Sequence, residues 1–156
     1  EYLCSSTTKP VIGFLLGFTN MANTFFAEIV ELNGSVFKGD VVSISAPGMD
    51  GGFQILANHA PMLAAMGVGL ISIKTLDGEK IDYTTGGGFV QVHHNKVMVL
   101  AESAEAVSEI DAERAKSSID KALAQLAQAE DPAQKEKARL ALDRARNRLR
   151  ASMGKV

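Results

Sequence analysis

The hydrophobic period of this chain changes near Ser108, and that change bears most on what it can fold into. From Phe25 to about Ser103 apolar residues recur at every second position, whereas beyond Ser108 they recur every third and fourth. Period two suits strands and the longer period suits helices, so a strand-built region must be followed by a helical one. With 156 residues, 46% of them hydrophobic, the chain can bury one ordinary core and a satellite element but not two full-sized domains. That excludes most large multidomain enzymes. The expected architecture is an all-β sandwich or flattened barrel over residues 23–108, then a C-terminal antiparallel α-helical hairpin over residues 109–156, with residues 1–22 as an extension of unknown role.

Within the first region, Val42, Ile44 and Ala46 alternate with Ser43 and Ser45, the pattern of a strand with one face on a core and one in water. Leu70–Leu76 and Glu79–Thr84 flank Asp77-Gly78, a pair suited to a two-residue hairpin turn. Phe89–His93 and Lys96–Leu100 flank His94-Asn95 in the same way. Two consecutive hairpins joined by Gly86-Gly87-Gly88 need a second layer to cover them.

In the second region Ala115, Ile119, Ala122, Leu126 and Ala129 form one helical seam, and Ala138, Leu142, Ala145, Leu149 and Ser152 form a matching one. Between them Asp131 is a suitable N-cap and Pro132 suits the first helical position, where its missing N–H costs nothing. Eleven alanines between Asp111 and Ser152 allow close approach but bury little area each, so the seam is expected to be weak and able to open. From Lys135 to the end, eight basic residues stand against Glu136 and Asp143, a local charge of +6 in a chain whose net charge is -2. A solvated helix face is the plain reading of such a run.

Several functional classes lack support. The overall charge provides no global basic field for nucleic acid or an anionic membrane. A single cysteine, Cys4, can form neither an intrachain disulfide nor a thiolate metal cage, which suits a reducing compartment. The apolar run Val11–Phe18 is eight residues long, against about twenty for a spanning helix. Lys9 before it faintly suggests a secretion signal, but no small-x-small cleavage site follows. Residues 1–20 therefore read as an upstream extension, a processed leader remnant or residues left from cloning. His59, His93 and His94 could hold a metal only if His59 met the other two beside a carboxylate; surface positions are expected instead, with His59 bracing the Ala60-Pro61 turn. Gly86–Gly88 precedes a strand, and no phosphate-cradling GxxxxGK[ST] or nucleophile-elbow motif is present. Nothing in the residue chemistry argues for an enzyme.

Five stretches occur in a telling order: Ile55-Leu56-Ala57-Asn58-His59-Ala60-Pro61-Met62-Leu63, Gly86-Gly87-Gly88-Phe89-Val90-Gln91-Val92, Val99–Ala104 as a last strand, Ile110-Asp111-Ala112-Glu113-Arg114-Ala115, and Leu140–Leu149. Together, from about Met21 to the C-terminus, they resemble the epsilon subunit of the bacterial-type ATP synthase, the counterpart of the mitochondrial delta subunit. Ala57-Asn58 stands where that family commonly has Pro-Gly, Gln54 where it has Gly, and Gly52 where many members carry an acidic residue, with Asp50 close by.

The resemblance implies a non-catalytic central-stalk (rotor) subunit of the proton-translocating synthase. Such a subunit couples c-ring rotation to ATP synthesis and restrains ATP hydrolysis through its C-terminal helices. Implied partners are the gamma subunit, the c-ring, and the alpha and beta subunits of the catalytic head, with no nucleic acid. The implied location is the cytoplasmic face of the bacterial inner membrane, or the matrix or stromal side in an organelle. Asp50, Gly52 and His59 take the place of the ring-facing loop, and Arg139, Arg146 and Arg150 that of a beta-subunit contact. No cofactor is required. Arg144 and Arg148, four apart on one helical face, can lie opposite Arg114 near the open end of the hairpin, and three guanidinium forks suit a polyphosphate. Several family members bind ATP regulatorily, which carries that role onto Glu105, Asp111, Arg114, Arg144 and Arg148, with Lys121 where the binding members have arginine. The competing expectation is that these residues form ion pairs within the hairpin. The competing function is a free-standing module that binds nucleic acid or an acidic protein through the basic helix, which lacks interleaved aromatics for that purpose.

Overall fold

A computed structural model describes residues 23–154; the extension over residues 1–22 and Lys155 of the basic segment lie outside the described residues. Nine strands precede two helices among the described residues: β1 (Phe25–Glu31), β2 (Gly34–Gly48), β3 (Gly51–Leu56), β4 (Met62–Met66), β5 (Gly69–Thr75), β6 (Lys80–Thr85), β7 (Gly88–His93), β8 (Lys96–Ala101) and β9 (Ala104–Ala106), then a 3-10 turn (Val107–Glu109), α1 (Ala112–Gln128) and α2 (Pro132–Ser152). The hydrogen-bonded order is β1-β8-β7-β4-β2-β5-β6-β9, with β3 on β2 and a further β1–β2 pairing that closes a circuit. This is the expected sandwich or flattened barrel, with β2 shared by its two layers. The first half of β2 pairs with β1, and the second half lies between β3 and β5.

The passage of β2 between layers corrects one sequence expectation. The register against β5 shifts between Val41 and Ser43, so Val41, not Val42, joins Ile44 and Ala46 in the core. A bulge of this kind breaks strict alternation and bends the strand. The last strand also differs from expectation, since β8 stops at Ala101 and the separate short β9 follows on β6. The His94-Asn95 turn forms as read, with φ 47° and 57°, the left-handed values that a primed two-residue turn demands. The Asp77-Gly78 turn is longer than expected, and only Gly78 is left-handed, with φ 82°. Thr75 N donates to the carbonyl oxygen of Glu79 and Gly78 N to that of Thr75, so Leu76, Asp77 and Gly78 form a three-residue loop. The two hairpins sit in different layers, and Gly86–Gly88 carries the chain across. At Gly88, φ 138°, a Cβ would lie 2.0 Å from the carbonyl oxygen of Leu100, so only glycine permits that approach. Ile29, Ile44, Ile55, Ile71 and Ile73 are fully buried, each contributing roughly 1.5–3 kcal/mol by removal from water.

The helices form as the periodicity required. The Asp111 carboxylate caps α1 by accepting from Glu113 N and Arg114 N, and the Asp131 carboxylate caps α2 by accepting from Gln134 N at 2.7 Å. The buried seam consists of Ala115 and Ala122 against Ala138, Leu142 and Ala145, and the last buried residue is Ala151, not Ser152. The apolar core of the sandwich contains no helical residue.

Candidate functional site

The residues with chemistry gather where α2 crosses the sandwich. Arg144, Asn147 and Arg148 occupy one helical turn at i, i+3 and i+4, so they share a face. That face meets the strands. An Arg144 terminal amino group donates to Glu102 just past β8, Arg148 Nε donates to Glu105 Oε2 in β9 at 2.8 Å, and Asn147 Nδ2 donates to the carbonyl oxygen of Gly69 at 2.6 Å. The expectation of ion pairs within the hairpin is thereby corrected: both arginines pair across to the sandwich, because α1 presents Ser118, Lys121 and Gln125 beside them and no unpaired carboxylate.

Arg114 does not join those pairs. It lines a pocket of about 100 Å³ with Glu105, Ile110, Asp111, Ala115 and Arg148. A larger groove of about 380 Å³ adjoins it, bounded by Ser118, Lys121 and Gln125 of α1, Arg144 and Arg148 of α2, and Glu102-Ser103. The fold thus brings Glu105, Asp111, Arg114 and Arg148 to one pocket, and Lys121, Arg144 and Arg148 to the next. The smaller space is below the range of ordinary ligand pockets and the larger lies within it. One Asp111 oxygen is occupied by the N-cap, which leaves the carboxylate fixed at the pocket rim. Nearby on α1, the Glu113 carboxylate 2.7 Å from Lys116 Nζ holds that ammonium group above its ordinary pKa.

Arg139, Arg146 and Arg150 lie on the exposed face of α2, where among the described residues none makes an ion pair. Arg146 and Arg150 flank a shallow depression with Val68, Asp143 and Asn147. The three loop residues do not come together. Asp50 and Gly52 are at the β2–β3 turn, whereas His59 follows the far end of β3, and six strand residues at about 3.3 Å each separate the two ends. Around His59 the chain is tied to another turn: Asn58 N donates to Asn95 Oδ1 at 2.8 Å, and Asn95 Nδ2 donates to the carbonyl oxygen of Thr24 at 2.9 Å. His59 Nδ1 lies 2.9 Å from its neighbour's oxygen, that of Ala60, in keeping with a bracing role.

One sheet face is apolar and uncovered. Phe89 of β7 stands opposite Ala65 of β4 and Leu100 of β8, and Leu63, Gln91 and Met98 form the adjoining row. Leu63 is 72% exposed and Phe89 51%. Large apolar side chains clustered in this way on a sheet mark a contact surface.

Sequence reasoning missed Glu102, Asn147 and Gly86, over which the Arg144 side chain packs, as parts of the site. A signal for Glu102 was present: two carboxylates three residues apart stand just before the helical region, whose second helix carries two arginines four apart. Asn147 and Gly86 carried none, since their roles depend on backbone brought close by the fold. Among the described residues no group of three His, Cys, Asp or Glu side chains assembles to hold a metal, and no helix is long and apolar enough to cross a membrane.

Comparison with known proteins agrees with this architecture. The family model for the ATP synthase Delta/Epsilon chain beta-sandwich domain matches residues 24–107, and that for its long alpha-helix domain matches residues 108–153. The chain is similar to the ATP synthase epsilon chain of Salinibacter ruber, 41% identical over 144 residues covering 87% of this chain and 97% of that one. To the epsilon chain of Syntrophomonas wolfei it is 36% identical over 130 residues, 83% and 95% of the two chains. Its fold is similar to a chain in the Euglena gracilis mitochondrial ATP synthase structure of OSCP, F1 and c-ring, with TM-score 0.70, 22% identity, and coverage of 85% of this chain and 83% of that one. A chain of the Tetrahymena thermophila mitochondrial central stalk and c-ring matches with TM-score 0.58, 16% identity, and coverage of 81% and 95%. Family models covering both the strands and the helices, together with relatives matched over nearly their full length, show that the chain belongs to the ATP synthase delta/epsilon family.

Proposed function

We propose that this ATP synthase central-stalk subunit is non-catalytic, that its sandwich fixes the gamma subunit to the c-ring, and that its hairpin restrains ATP hydrolysis by leaving the sandwich for the catalytic head. The observation that carries the reading is the closure of the sandwich core without one helical side chain. A core of that kind can transmit torque while the helices move. The uncovered face around Leu63, Phe89 and Leu100 suits the gamma subunit, and the exposed Met49–Gly52 turn suits the ring. Arg139, Arg146 and Arg150, facing solvent while the hairpin is docked, suit an acidic segment of the beta subunit once it extends. The subunit then works on the cytoplasmic face of the bacterial membrane, or on the matrix or stromal side in an organelle. The reading as a free-standing nucleic-acid module is not favoured, because both parts of the chain match one family.

Deleting residues 110–156 tests this reading in the reconstituted enzyme. Hydrolysis should rise while proton coupling stays largely intact. Unchanged hydrolysis at low ATP would sink the inhibitory role, and loss of coupling would sink the division of labour.

Regulatory ATP is the second part of the proposal. Charge-assisted contacts to Arg144 and Arg148 contribute about 1.5–3 kcal/mol each, less what is lost by displacing Glu102 and Glu105. Such a ligand shifts the hairpin only by its difference in affinity between the two positions. Calorimetric titration of the wild type, Arg144→Ala and Arg148→Ala should show heat with ATP for the first and weaker binding for the others. Equal affinity in all three, or no wild-type heat at about millimolar ATP, would remove these arginines from any nucleotide site.

A further inference from the structure

We propose that the hairpin is held on the sandwich by a charge latch seated on Gly86, and that ionic strength sets how often it opens. The latch deepens the regulatory reading above and rests on it for its meaning in the assembled enzyme.

Arg144 reaches Glu102 by lying across Gly86. A Cβ built on Gly86 would stand 2.9 Å from Arg144 Nε, 3.3 Å from its Cδ and 2.8 Å from Ser103 Oγ. The backbone does not require glycine there, for Gly86 is absent from the positive-φ residues that include Gly87 and Gly88. Its missing side chain therefore serves the approach of Arg144, a different role from that of its two neighbours. Docking has a cost as well as a gain. Arg144 Nε is buried without a hydrogen-bond partner, and among the described residues no other buried side-chain nitrogen or oxygen is left so. The compensating charges stay accessible: the side chains are 35% and 58% exposed for Arg144 and Glu102, and 34% each for Arg148 and Glu105. Pairs that solvent reaches are weakened by salt, and pairs over a close-packed seat depend on the seat remaining empty. Release breaks these pairs and the Asn147 bond to Gly69 but leaves the alanine seam within the hairpin closed, so the two helices leave together.

The test uses the full chain with Cys4→Ser and spin labels at Asp77→Cys and Gln128→Cys, both exposed positions outside the latch. Pulsed EPR should give one narrow distance distribution at about 0.02 M salt and a second population at about 0.5 M. Gly86→Ala should raise the undocked-to-docked ratio about tenfold, the size expected from overfilling a packed contact. In an Arg144→Ala background the same glycine change should leave that ratio unmoved, because the remaining close contact, with Ser103 Oγ, lies within the sandwich and is the same whether the hairpin is docked or not. Should Gly86→Ala fail to fold, Glu102→Gln with Glu105→Gln carries the test by abolishing the salt response. An identical wild-type distribution at both salts, an unshifted Gly86→Ala, or an equal shift with and without Arg144 would overturn the latch. The measurement is made on the isolated chain, so its failure leaves the enzyme-level reading standing, and unchanged hydrolysis in the enzyme leaves the latch standing.

Discussion

The sandwich and the hairpin bury their apolar faces with different materials. The strands supply fully buried isoleucines and valines, whereas the helices meet through Ala115, Ala122, Ala138 and Ala145 with Leu142 as their one large buried side chain. Buried area sets the gain, so the strand region holds itself together and the helical region depends on caps, one leucine and charge pairs. The difference teaches how one chain can join a core that closes on itself to an arm that rests on it through polar contacts. Side-chain volume at alternate positions closes the first, and the second, lacking that volume, adds nothing to the apolar core of the sandwich.

The comparison breaks or sharpens at several points. The largest effect is expected at Ile44, where Ile44→Ala should cost about 2–5 kcal/mol in denaturant unfolding followed by strand circular dichroism. Leu142→Ala should fall at or below the low end of that range and act on the helical signal; an equal cost would make the hairpin a second core. Next, a chain ending near Ser108 should remain soluble with a cooperative thermal transition, since the strand core includes no helical residue. Loss of the transition would mean that the hairpin completes the sandwich. Smaller again, Asp131→Ala should lower helical stability by about 1 kcal/mol through loss of the N-cap, with the strand transition unmoved. The smallest effect is that of pH. Burial first, and then the nearby Glu109 carboxylate, raise the Tyr83 phenol above its ordinary pKa of 10.0. A raised phenol pKa favours the protonated, folded form, so its contribution is complete below the ordinary value and is lost as pH rises through the folded one. Denaturant midpoints of the wild type should fall above about pH 10 more steeply than those of Tyr83→Phe.

Local features were legible and long-range ones were not. The turns at Asp77-Gly78 and His94-Asn95, the caps at Asp131-Pro132 and the alanine seams all follow from residues within a few positions of one another. The register of β2 escaped because a bulge is decided by pairing with β5, some thirty residues along the chain. Asp50, Gly52 and His59 were placed in one loop by the resemblance, yet the strand between them leaves Asp50 and Gly52 at one end of β3 and His59 beyond the other. For the arginines the spacing revealed a shared face but not its partner, and α1 was the nearer candidate in sequence.

By itself, the sequence determined two kinds of periodicity, the place where one yields to the other, the turns that punctuate them, and the excess of positive charge on the last helix. Each depends on backbone preferences and side-chain types over short spans. Only the tertiary structure decided that Arg144 and Arg148 face Glu102 and Glu105, 42 and 43 residues away, and that Gly86 lies beneath the crossing. Charge is long-ranged and indifferent to order along the chain, so many carboxylates were equivalent partners until packing brought two of them within reach.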